Sequence, residues 1–175
     1  MLKQQFPKLS IFDTFKTKRG QLTGEAIRQR HIISHLAREN SSTLMTRTAI
    51  AQNIAKKNNL LWKNIYSGVF RDLDEILIPL NIVTEAGRLP LKRGPKALQE
   101  SGIPYYHLTP KGLLVVLSID DFEQRDSVLN KFLLKAEIKE KEFVDAVRIL
   151  VKISPKFTYS MFEIYVRTFW EGKLK

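Results

Sequence analysis

Lys63, Asn64, Ser67 and Arg71 fall on one side of a segment, residues 60–80, whose other side is apolar. An Asn amide can pair with both hydrogen-bonding groups of an adenine edge, and an Arg guanidinium with those of a guanine. Lys and Ser can reach base edges or phosphate oxygens, and Asn64 and Arg71 could instead hold phosphate, which fixes register without reading sequence. Arg88, Lys92, Arg93 and Lys96 form a second cluster, with Gly94 and Pro95 keeping its loop thin and turning it. Basic side chains on such a loop can follow phosphates or enter a narrow minor groove. Arg47, among the Lys and Arg of the arm and first helices, is a further phosphate contact. These are groups for holding a polyanion, not for transforming a substrate.

Other chemistries have weaker support. His31, His35 and Glu39 recur every four residues, a spacing that could line up three metal ligands along one helix. "HIISH" lacks the Glu general base of a metalloprotease, and polar surface positions explain these residues more simply. No metal or cofactor is expected. The chain has no Cys, which removes disulfides, thiolate metal sites and a Cys nucleophile. There is no P-loop, nucleophile elbow or evident acid/base pair, and the carboxylates of "RDLDE" cluster at a solvated helix end, so no enzymatic activity is expected.

The charge agrees with a polyanionic partner and shows where it would bind. The 175 residues include 29 Lys and Arg against 18 Asp and Glu, a net charge of +11. Residues 1–60 hold 11 basic and 3 acidic side chains, 61–119 hold 7 and 5, and 120–175 hold 11 and 10. The excess therefore sits in the first third, and the last third suits solvated helix faces or protein contacts. No apolar run approaches the roughly 20 residues that span a bilayer, and "MLKQQFPKLSIFDTF" lacks the apolar region of a signal peptide. The expectation is a soluble cytoplasmic protein, nucleoid-associated if prokaryotic.

The elements that position these residues follow from periodicity. Leu9, Phe12 and Phe15 predict a short docking helix, followed by the basic linker "KTKRGQLTG". From Gly24 to Asn40, Ala26, Ile33, Leu36 and Ala37 form one helical stripe, with Arg28, Arg30 and Arg38 outside. "SSTLMT" suggests a short strand. Thr46 then caps a helix that gathers Ile50, Ala51, Ile54 and Ala55, with Lys56 and Lys57 at its C-terminal end. Between Leu60 and Leu80 a single long helix sets Trp62, Ile65, Tyr66, Val69, Leu73, Ile76 and Leu80 against the polar face, and Pro79 ends it. "LNIVTEAGR" begins an extended segment, and "IPYYHL" reads as a strand with Tyr106 and Leu108 on one side. Thr109 and Pro110 start a buried helix over "LLVVL", and three more helical patterns follow. The last gathers Phe157, Tyr159, Met161, Phe162, Tyr165, Val166, Phe169 and Trp170, as intrachain core or as a dimer interface.

This order, with "YYHLTPKG" as second wing strand and following helix start, resembles the winged helix-turn-helix domain of transcription regulators such as the MarR, PadR and ArsR families. The resemblance spans about Gly24 to Ser118. It implies a mainly α fold with a small antiparallel β-wing (α+β), a recognition helix at about 60–78 and a basic wing at about 84–103. "KRGPK" also resembles a minor-groove AT-hook, but the second Arg of that core is missing. The expected organisation is an arm at 1–23, the winged domain at 24–118 and a C-terminal helical module at 119–175. The implied function is sequence-specific double-stranded DNA binding by a transcription regulator, as a homodimer through the C-terminal helices, with half-sites about 10 base pairs apart. Two other readings keep part of this: a winged-helix protein-interaction module of a transcription or replication assembly, and a nonspecific architectural binder.

Overall fold

A computed structural model describes residues 7–17, 19–58, 61–90, 102–136 and 141–174, without the side chains of 62–64 and 136. Lys92, Arg93 and Lys96 of the expected wing lie outside the described residues, as do the side chains of Lys63 and Asn64. The described chain is mainly helical, with one two-stranded antiparallel sheet. It divides into two compact units, 1–108 and 109–175. The division falls ten residues before the expected 118/119 boundary, and the arm groups with the first unit.

In the first unit, residues 7–23 do not form the helix that Leu9, Phe12 and Phe15 suggested. Leu9, Ser10 and Ile11 are buried, a turn follows at Ile11–Phe12 where Asp13 N donates to the Ser10 carbonyl at 2.8 Å, and Phe15 is half exposed. The backbone folds back through a bridge between Thr14 and Leu22. Side chains of the next helix complete its hydrogen bonds: Ser10 N donates to Gln29 Oε1 at 2.8 Å, and Arg30 Nε donates to the Ile11 carbonyl at 2.8 Å. A helical reading could not foresee these partners, which come from 19 residues away.

Helix α1 (Gly24–Arg38) begins where Thr23 Oγ1 accepts from Ala26 N, and it buries Ala26, Ile33, Leu36 and Ala37 as expected, with Ile32. A 3₁₀ turn, Ser42–Leu44, follows. The strand suggested for "SSTLMT" is reduced to one bridge, Thr46 to Tyr105, supported by Tyr106 N donating to the Met45 carbonyl at 3.1 Å. Helix α2 (Arg47–Lys57) is capped by Thr46 and buries Ile50, Ala51, Ile54 and Ala55.

The long helix expected over residues 60–80 changes pitch. Helix α3 (Trp62–Arg71) passes into a π-helical segment, Asp72–Leu77, closed by Ile78 N donating to the Leu73 carbonyl at 2.9 Å. The wider turn advances the face, so that Val69, Leu73 and Leu77 are fully buried and Asp72 turns inward with them. Asn81, at φ 56°, makes the left-handed turn into the sheet, a conformation that Asn tolerates better than most residues.

Strand β1 (Val83–Leu89) pairs antiparallel with β2 (Ile103–Leu108), from Val83 opposite Leu108 to Leu89 opposite Ile103. Ala86 is bulged out between Glu85 and Gly87. Tyr106 and Leu108 are buried and His107 is exposed, the alternation read from "YYHL".

The second unit is helical. Thr109 Oγ1 accepts from Gly112 N at 3.0 Å to start α4 (Pro110–Leu117), which is buried over most of its surface. Helices α5 (Arg125–Ala136), α6 (Lys141–Ile153) and α7 (Pro155–Trp170) pack in sequence, with α7 also against α4. Tyr159 donates its hydroxyl to Asp126 Oδ1 at 2.6 Å, joining α7 to α5. Burial, followed by that hydrogen bond, pushes its phenol far above the usual tyrosine range.

Candidate nucleic-acid interface

The first unit brings together α3 and the β1/β2 hairpin, the two elements that carry most of the expected contacts. On α3, Ser67 is exposed, and Arg71 has 52% of its side chain exposed with a guanidinium nitrogen 3.9 Å from Glu25 Oε2. That separation is long for an ion pair and leaves the guanidinium able to turn to another acceptor. Arg88, on β1, is exposed and donates from Nε to Glu85 Oε1 at 2.7 Å. The pair is exposed on both sides, so the expected contribution to stability is small.

Arg47 has a different setting. Its guanidinium pairs with Asp74 and lies 4.7 Å from the Phe70 ring centroid and 5.3 Å from that of Tyr106. The side chain thus joins the start of α2 to α3, the π-helical segment and β2. Partial burial costs the guanidinium hydration, and the Asp74 carboxylate and the two aromatic faces offset that cost. Tyr106 is 1% exposed, and burial pushes its phenol above the usual range.

Sequence reading did not identify the group that holds α3 in place. Arg28, expected on the outside of α1, crosses to Asp72, donating from Nε to Oδ2 at 2.5 Å and from Nη2 to Oδ1 at 3.0 Å. The Asp72 side chain is fully buried, and 21% of the Arg28 side chain is exposed. Gly68 makes the crossing possible: a Cβ there would stand 2.9 Å from Arg28 Nε and 3.0 Å from its Cζ. A glycine inside an otherwise helical pattern was the available signal, since it costs about 1 kcal/mol against Ala unless packing needs it.

Burial pushes the Asp72 carboxyl above the usual carboxylate range, although the Arg28 hydrogen bond and charge pull it down. A carboxyl with a raised folded-state pKa contributes stability that is complete below its unfolded pKa and is lost as pH rises through the folded one. The stability of the wild type relative to Asp72→Asn is therefore expected to fall as pH rises through and above the ordinary carboxylate range in urea titrations. A rise over the same window would mean that the Arg28 charge outweighs burial.

Of the His31, His35 and Glu39 series, His35 is buried and the other two are partly exposed. His35 is 5% exposed, its Nε2 is 2.8 Å from the Leu44 carbonyl, and its Nδ1 is 4.0 Å from Glu39 Oε1. Among the described residues, no group of three or more His, Cys, Asp or Glu side chains is placed to hold a metal ion. No described helix is long and apolar enough to cross a membrane.

The first unit carries most of the basic excess, nearly all of it within residues 1–60. Residues 1–108 carry 17 Lys and Arg against 8 Asp and Glu, whereas residues 109–175 carry 12 against 10. Comparisons with protein-family models, curated proteins and solved structures found no match to this chain.

Proposed function

We propose that the first unit is a winged helix-turn-helix that binds double-stranded DNA in a sequence-specific manner and serves transcription regulation, with α3 as recognition helix and the β1/β2 hairpin as wing. The observation that carries the reading is the order α1, bridge, α2, α3, β1, β2, closed by the Thr46 to Tyr105 bridge. That bridge draws the chain before α2 onto the hairpin, so the helix pair and the wing form one body. The 17 to 8 excess of basic residues in this unit supports a phosphate-lined partner.

In this reading Ser67 and Arg71 face the major groove beside Lys63 and Asn64, while Arg88, Lys92, Arg93 and Lys96 follow the backbone from the wing. The test is titration of randomised and selected duplexes at several salt concentrations. With about six phosphate contacts, affinity is expected to fall roughly a thousandfold between about 50 and about 200 mM salt. Arg71→Ala is expected to relax discrimination at one base pair by about 1–3 kcal/mol, and Arg93→Ala to weaken all duplexes alike. Salt-insensitive binding, or none to any duplex at low salt, overturns the reading. Equal affinity for every sequence points instead to a nonspecific architectural binder.

A further inference from the structure

The aromatic C-terminal stretch does not serve a single face. Tyr159, Phe162 and Val166 of α7 are buried, as are Val144 and Val147 of α6, and these form the core of the second unit. Each helix also carries a second apolar stripe. On α6, Phe143, Ala146, Ile149 and Ile153 are exposed, and on α7 so are Phe157, Met161, Ile164, Tyr165 and Phe169. Phe157, Met161 and Ile164 recur at the four- and three-residue steps of a continuous helix face. Ile153 is 76% exposed and Ile164 66%.

We propose that a second copy of the chain docks on these stripes, α6 and α7 of one protomer against α6 and α7 of its partner. The inference does not rest on the DNA reading of the first unit.

Area is the first argument. Eight large side chains, Phe143, Ile149, Ile153, Phe157, Met161, Ile164, Tyr165 and Phe169, are 38% to 76% exposed. At roughly 200 Å² for a fully exposed side chain of this size, they present on the order of 800 Å². Summed over both helices, this is comparable with the roughly 800 Å² that each partner contributes to a stable interface.

Charge selects the occupant. Lys141, Glu142, Asp145, Arg148 and Lys152 on α6, with Lys156, Glu163 and Arg167 on α7, set both signs along both helices. Under two-fold symmetry a residue of one copy meets a different residue of the other and the contact is repeated, so a face carrying both signs, five basic and three acidic here, can set opposite charges across the axis. The unit's 12 to 10 balance gives two copies less mutual repulsion than the 17 to 8 excess of residues 1–108 would.

Sedimentation equilibrium of the full chain tests the proposal. The wild type is expected at twice its 20.3 kDa mass at micromolar concentration. Ile149→Glu combined with Ile164→Glu is expected to weaken association at least a hundredfold with the helical circular dichroism unchanged, because both side chains are mainly solvent-exposed within the chain. If the double variant loses its helical signal, Ile153→Lys alone supplies the same comparison at a single exposed site. A wild type that stays at single-chain mass throughout, or well-folded variants that remain dimers, overturns the assignment. Duplex titration of the same samples is read separately: a dimer that binds no duplex keeps this face and loses only the DNA reading.

Discussion

Replacing Arg28 by Met is expected to destabilise the protein by about 3 kcal/mol, although Met occupies much of the same volume. The reason is what remains. Asp72 has no exposed side-chain surface, and both of its oxygens accept from the Arg28 guanidinium. Without that partner the carboxyl must ionise unpaired in the interior or stay protonated at neutral pH, and either state costs free energy. Asp72→Asn is expected to cost less, since its amide keeps a hydrogen bond to the guanidinium and no buried charge is stranded. Urea unfolding at neutral pH measures both. Equal, small losses would show that the pair contributes little to holding α3 on α1. The functional consequence lies in placement, because Arg71 and Ser67 project from the helix that this pair anchors.

Gly102→Val is expected to cost about 3 kcal/mol and to loosen the hairpin first. Gly102 stands just before the last cross-strand pair, Leu89 with Ile103, at φ +82°. A β-branched residue is strained in that region, and a Cβ would lie 2.5 Å from the Leu89 carbonyl oxygen. The clash is with backbone, so no rotamer change relieves it. Hydrogen exchange of the Val83–Leu89 amides should accelerate before that of the Ile50–Ala55 amides of α2. Unchanged strand protection would show that the backbone adjusts elsewhere. In the DNA reading the same variant weakens binding to all duplexes, since it disturbs the wing and leaves α3 in place.

Elements governed by neighbouring residues were legible. Thr46 and Thr109 each cap the helix that follows, because a hydroxyl three residues before an unpaired N–H satisfies it without long-range help. The alternation of "YYHL" set the buried side of β2, and the periodicity of residues 47–57 set that of α2. The segregation of basic charge toward the first third was also visible, since it is a matter of composition alone.

What escaped sequence reading depends on partners far along the chain. Residues 9–15 fit a helical spacing, yet a turn at Ile11–Phe12 and hydrogen bonds to the side chains of Gln29 and Arg30 hold them in a non-helical path. Arg28 and Arg47 looked like solvated or phosphate-binding cations, but Asp72 and Asp74 engage them. His35 looked like a surface residue, and the Leu44 carbonyl satisfies it inside. The π turn at Asp72–Leu77 leaves no mark in a 100° periodicity, since one widened turn shifts the face only after it has formed. The sequence by itself therefore determined where helices begin, which strand face is apolar and which unit is basic, all matters of local chemistry. The tertiary structure decided which cations remain on the surface and which hold helices together, because that choice depends on carboxylates 27 and 44 residues away.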